Sequence, residues 1–218
     1  MTTGECPRPH ALCGGPDGST APVEARAATT GPGAPSRWHW RSVLDRWPTA
    51  LAIAPWALSR GGGGLDDSVD GFGEALLRLP LPYVIGATLQ RPRLSSWPVL
   101  VVGMVVITAL RIADVIAPAA VLTAVALVVL AWTAVSAPPH GADLRPVQAA
   151  GLGGFSAMAL VGLAVDPDLG RYLVAAGWFL HGVWDAVHLR LDKVVVRSYA
   201  EWCGVFDILV AGELIFLV

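Results

Sequence analysis

Two histidines and two aspartates stand inside the apolar stretches near the end of the chain. His181, Asp185 and His188 recur at i, i+4 and i+7 in the run Trp178–Leu189, and Asp207 follows four residues after Cys203 in the last apolar run. An ionisable group in hydrocarbon is costly, so one kept at membrane depth is read first as a functional group. At about 100° per residue, His181, Asp185 and His188 fall within roughly 60° of one another on a helix. Cys203 and Asp207 share a face of the next helix. The connection between the two runs is short and basic, with Arg190, Lys193 and Arg197, which makes the helices antiparallel neighbours. Counted from that loop, Asp185, His188 and Asp207 converge in the half of the bilayer beside it, with His181 deeper.

Such a set suits several chemistries. A carboxylic acid in apolar surroundings keeps its proton and serves as general acid or base, which casts Asp185 and Asp207 in that role with His181 and His188 as partners. Tryptophan faces stabilise developing positive charge, so Trp178, Trp184, Trp202 and Cys203 are the candidate substrate-binding side chains. Acid and tryptophan together fit a protonation-started reaction on a prenyl or lipid-like substrate that already dissolves in the bilayer. His181, Asp185 and His188 would be the ligands if a metal is held, zinc or iron by donor type. A proton relay or small carrier uses the same residue types. In a non-enzymatic membrane protein they only join helices. No spacing names a cofactor.

The elements that must position these groups are membrane helices. Of the 218 residues 54% are hydrophobic and 15% charged, against about a quarter charged in soluble domains. Mean hydropathy is +0.57. A net charge of -2 gives no footprint for nucleic acid. Apolar runs at Phe72–Leu89, Trp97–Ile116, Ala119–Ala137, Val147–Val165, Tyr172–Leu189 and Tyr199–Val218 predict an all-α polytopic bundle of about six transmembrane helices. Pro80 and Pro82 should kink the first. Residues 1–36, rich in Gly and Pro and carrying Cys6, Cys13 and His10, read as a disordered tail. Residues 37–70 read as an amphiphilic interfacial or linker segment, and 71–218 as the membrane domain. The basic residues fall in the loops after the odd-numbered runs, which places those loops in the cytoplasm and the C-terminus outside a cell membrane.

Other charged groups in the runs need partners. Glu74 and Arg78, one turn apart, can pair. Arg111 and Glu213 stand at similar depth and predict a buried ion pair, with Asp114 either joining it or sitting at the outer interface. Ser198 and Glu201 have capping-box spacing at the start of the last helix.

The stretch Gly177–Arg190, GWFLHGVWDAVHLR, followed by Ser198–Asp207, SYAEWCGVFD, resembles a group of small, largely actinobacterial integral membrane proteins of unassigned activity with an H-G-x-W-D-x-x-H helix. The resemblance covers the chain from about Gly71 onward. In size, spans and buried acids the chain is also similar, more distantly, to the bacterial membrane-bound terpene cyclases that close farnesylated indole compounds. That second likeness implies an apolar substrate and membrane lipid as surroundings, and maps no catalytic residue onto this chain.

Overall fold

The computed structural model describes residues 46–59, 64–136 and 143–216. The expected tail over 1–36 and the start of the interfacial segment lie outside them. Among the described residues there is helix and turn but no strand. The helices are α1 (Trp47–Ser59), α2 (Leu65–Arg78), α3 (Leu81–Leu89), α4 (Pro92–Ser95), α5 (Trp97–Ala113), α6 (Pro118–Val135), α7 (Arg145–Ala164), α8 (Pro167–Leu191) and α9 (Arg197–Phe216).

Proline and left-handed residues set these bounds. α3 to α8 each carry Pro in the first two positions, where the missing N–H would have had no helical partner. α3, α5 and α8 stop on Gln90, Asp114 and Asp192 with φ near 50°. Each returns its N–H to the carbonyl four residues back, on Gly86, Leu110 and His188, closing the last turn. At the start of α7, Asp143 accepts from the Arg145 backbone N–H and guanidinium, while Arg145 also reaches the Ser136 carbonyl at 2.9 Å. That arginine ties the end of α6 to α7. Its hydrogen bonds hold the Asp143 carboxyl below the usual carboxylate range.

Among the described residues three stretches are long and apolar enough to cross a membrane: Pro92–Ala113, Pro118–Val135 and Arg145–Ala164. α5 buries only Leu100, and α6 only Leu122, Ala126 and Thr133. Val101, Val102, Val105, Leu127 and Val128 stay exposed on these peripheral helices, a face that lipid would cover at no cost. The first expected run is not one kinked helix. It breaks at Leu79–Pro80 into α2 and α3, because Pro80 removes a helical donor and its ring collides with the preceding turn.

α8 is central and packs on α9, α7 and α2. Leu76, Leu77, Ala159, Val174, Trp178, Val210 and Leu214 form the core between them. A second cluster, with Tyr83, Val194, Val195, Tyr199 and Cys203, lies toward the α8–α9 connection. α1 belongs to the bundle. It packs along α9, Trp47 stacks on Trp97 at 5.9 Å, and Thr49 Oγ1 donates to Glu201 at 2.8 Å.

Three expected pairings are corrected, the first being Glu74 with Arg78, because Arg111 takes the Glu74 carboxylate. Arg111 pairs with Glu74, at 2.8 and 3.0 Å, and not with Glu213. The break after α2 leaves Glu74 facing the far end of α5, while Glu213 faces a cavity beside Arg78 and Met104. Asp114 is the left-handed cap of α5, and it shares a cleft with Arg111 without pairing to it. Nor do Ser198 and Glu201 form a capping box. α9 starts at Arg197, two residues before the Tyr199 start that a Ser198 cap requires, Ser198 Oγ accepts from the Trp97 indole at 3.2 Å, and Glu201 is engaged by Thr49 and Arg46.

Candidate functional site

α8 and α9 cross closely at two glycines. A Cβ on Gly204 would lie 3.3 Å from the Asp185 Cβ, and one on Gly182 would lie 3.3 Å from the Asp207 Cβ. Small residues are what permit such an approach between membrane helices. The carboxylates of those two contacted residues are thereby turned into a shared interior. His181, Asp185 and Asp207 are all fully buried.

His181 Nδ1 lies 2.7 Å from Asp207 Oδ2 and 3.5 Å from Asp185 Oδ2. Both neighbours are acceptors, so Nδ1 carries the proton. The Tyr83 hydroxyl donates to Asp185 Oδ1. Three polar atoms remain buried without a hydrogen-bond partner: His181 Nε2, Asp185 Oδ2 and Asp207 Oδ1. One ligand atom from each of the three residues can be chosen so that all lie within 4.8 Å of one another. The arrangement holds two carboxylates around one imidazole, so both can ionise only at the cost of a net buried charge. Acid/base chemistry and metal ligation are both within reach of such a donor set.

His188 is not part of this group. Its Nδ1 faces the Trp184 carbonyl at 2.9 Å and its Nε2 faces the Gln148 side chain at 2.8 Å. The carbonyl only accepts, so Nδ1 donates, and Nε2 accepts from the Gln148 amide, which defines a neutral ring. With both nitrogens engaged, His188 leaves the expected His181, Asp185, His188 ligand set, and Asp207 takes its place.

The tryptophans also fall elsewhere. Trp178 is a core residue whose indole donates to the Phe72 carbonyl at 3.0 Å. Trp184 leans on His188, with ring centroids 5.1 Å apart, and on Phe155. Trp202 stacks on Phe206 at 5.3 Å. The rings that wall His181 are Phe155, at 5.0 Å, and Tyr83, at 5.7 Å. Cys203 is buried in the adjoining cluster with Tyr83 and Tyr199. The reason is angular. Trp178 and Trp184 are three residues to either side of His181 along the helix, and the turn that points His181 at α9 points them at α2 and α7.

Sequence reasoning missed Tyr83 and Gln148. Both had a signal, since each is a polar side chain alone in an aliphatic run (LPYVIG and PVQAAG). Their partners lie 102 and 40 residues away, beyond any helical periodicity. Compared with known proteins, the chain matches no family model, no curated protein and no solved structure.

Proposed function

We propose that the chain is a multi-pass cell-membrane enzyme that uses the buried cluster as an acid/base site on an apolar, prenyl or lipid-like substrate. The single observation that carries this is His181 Nδ1 set between two fully buried carboxylates, each with an oxygen left unpartnered. Tyr83 donates to Asp185, whose other oxygen lies 3.5 Å from His181 Nδ1. Asp207 has only His181, which makes it the proton-holding acid. His181 lies between both carboxylates, and its Nδ1–H stabilises the negative charge that appears on Asp207 when the proton leaves. The route from the bilayer runs by Tyr199, whose ring lies 6.2 Å from Tyr83 and borders a lipid-side apolar cavity of about 340 Å³. Six crossings, with the basic loops in the cytoplasm and the C-terminus outside, complete the reading. The likeness to membrane-bound terpene cyclases points to the same substrate class.

The test is to incubate protein in nanodiscs with farnesyl- and geranylgeranyl-bearing compounds in D₂O and read product mass. Protonation of an alkene by the site introduces deuterium. Wild-type protein should yield a deuterated product and Asp207→Asn, at equal expression, none. Equal turnover by Asp207→Asn removes the acid assignment.

A second reading is favoured by the 4.8 Å clustering of one nitrogen and two oxygen donors. His181, Asp185 and Asp207 would then be three protein ligands of a catalytic metal with an open position. Stoichiometric metal in detergent-purified protein, lost in His181→Ala, would replace the acid mechanism. The third, non-enzymatic reading treats the cluster as interhelical glue. It predicts that replacing all three residues by apolar ones changes stability alone.

A further inference from the structure

Arg78 is a buried cation whose expected partner has gone elsewhere. Glu74, one turn away, is taken by Arg111. Arg78 is 9% exposed, and its Nη1 points at the Met104 sulfur, a weak acceptor. Its Nε is buried with no hydrogen-bond partner, and among the described residues it makes no ion pair. A guanidinium is always charged, and leaving it unpaired in a low-dielectric interior is strongly unfavourable. Gly103 keeps the space open, since a Cβ there would sit 3.4 Å from Arg78 Cδ.

The side chain stands on the wall of two cavities. One, of about 340 Å³, is almost wholly apolar and is framed by Leu81, Val99, Val102 and Val125 from α3, α5 and α6. The other, of about 430 Å³, contains Met104, Trp178 and Glu213. An unpaired cation at the end of an apolar slot selects a ligand with an anionic head and a hydrocarbon tail. The slot lies near the small end of the ~300–1,000 Å³ range of ligand pockets, which suits one tail. Met104 is seven residues along α5 from Trp97, or about 10 Å into the bilayer at 1.5 Å per residue. A phospholipid head anchored at the interface does not reach that depth.

We propose that Arg78 and the α3–α5–α6 cavity bind a free, single-tailed anionic amphiphile, its carboxylate or phosphate head on the guanidinium and its tail in the slot. This holds independently of whether the His181 cluster is catalytic.

The test uses the full chain in phosphatidylcholine nanodiscs, with laurate, dodecyl phosphate and dodecanol as probes, and with binding read by native mass spectrometry and calorimetry. Laurate and dodecyl phosphate should bind saturably and dodecanol at least roughly tenfold more weakly, as expected for loss of a charge-assisted contact. Arg78→Gln should lose that preference, and Arg78→Lys should keep part of it. Val102 is exposed and lines the slot. Val102→Trp should therefore block the tail without unfolding the bundle, which keeps the test decisive if Arg78→Gln does not fold. Glu213→Gln should leave binding unchanged or tighten it. Dodecanol binding as tightly as laurate, anion binding undiminished in Val102→Trp, or full competition by added phosphatidylglycerol would each overturn the proposal. The last outcome would make a bilayer lipid the occupant.

Discussion

The ionic character of the His181–Asp207 contact can be measured by removing its partners in turn. Both side chains are fully buried and 2.7 Å apart. His181→Leu takes away the one cationic group between two carboxylates whose ligand atoms lie within 4.8 Å. Stripping a buried pair of its partner costs about 3–5 kcal/mol. Asp207→Leu is milder, because Asp185 Oδ2 remains 3.5 Å from His181 Nδ1 as a second carboxylate, and roughly 1–2 kcal/mol is expected for one lost buried bond. With both replaced, the remaining Asp185 keeps Tyr83 as donor, so the double variant should be more stable than His181→Leu alone. The coupling energy should then exceed the roughly 1–2 kcal/mol of Asp207→Leu alone, inside the range found for contacting residues. A neutral interhelical hydrogen bond in a membrane averages only about 0.6 kcal/mol. Unfolding free energies in mixed micelles or by steric trapping decide between the two. Additive singles, each costing less than about 1 kcal/mol, would refute the ionised cluster and with it the acid/base reading.

Four further outcomes are expected. Gly204→Leu should push α8 from α9, costing about 1–3 kcal/mol as overpacking does and abolishing any metal or acid chemistry, while Gly153→Ala, with open space around it, should be neutral in the same thermal unfolding assay. Gly86→Ala should destabilise by a similar amount, because its Cβ would press on the rigid Val194 carbonyl and the Ser95 hydroxyl; unchanged stability would show that the α8–α9 connection is free to move. Glu201→Gln should loosen α1, seen as faster proteolysis near Thr49, whereas capping-motif loss predicts fraying of α9 in hydrogen exchange and an equal effect from Ser198→Ala. The Asp143 carboxyl, held low by its hydrogen bonds to Arg145, contributes stability above the ordinary carboxylate range that is lost as pH falls through its folded value; its carbonyl carbon shift should titrate late on acidification and move back up in Arg145→Gln.

Periodicity within a single helix was the legible part. The i, i+4 spacing of His181 and Asp185, and of Cys203 and Asp207, places each pair on one face whatever the fold, and the short basic connection makes those faces meet. The same arithmetic failed where it was extended by depth alone. Arg111 and Glu213 were matched because each stood about equally far from one membrane face, but depth fixes only one of the three coordinates. Rotation about the helix axis and the order of neighbours decided the partner, and they gave Arg111 to Glu74. His188 failed by a smaller margin. It shares the stripe with His181, yet it sits seven residues on, where α8 has passed the α9 crossing and faces Gln148 of α7.

The break at Pro80 links these failures to the site. A single kinked helix over Phe72–Leu89 would lock Tyr83 to the side opposite Glu74 and Arg78, since nine residues at about 100° each is half a turn out of phase. Two separate helices rotate those faces independently. α2 turns Glu74 to Arg111 and leaves Arg78 between two cavities, and α3 turns Tyr83 onto Asp185. The break thus completes the buried carboxylate site through α3, whereas Glu74 and Arg78 share α2 and lose each other to the approach of Arg111 from α5. Replacing Pro80 by Ala tests that division. If α2 and α3 fuse, Tyr83 leaves Asp185 and acid/base turnover should fall, while the preference for an anionic head, which rests on Arg78 of α2, should persist. Turnover unchanged in Pro80→Ala would show that the break does not place Tyr83.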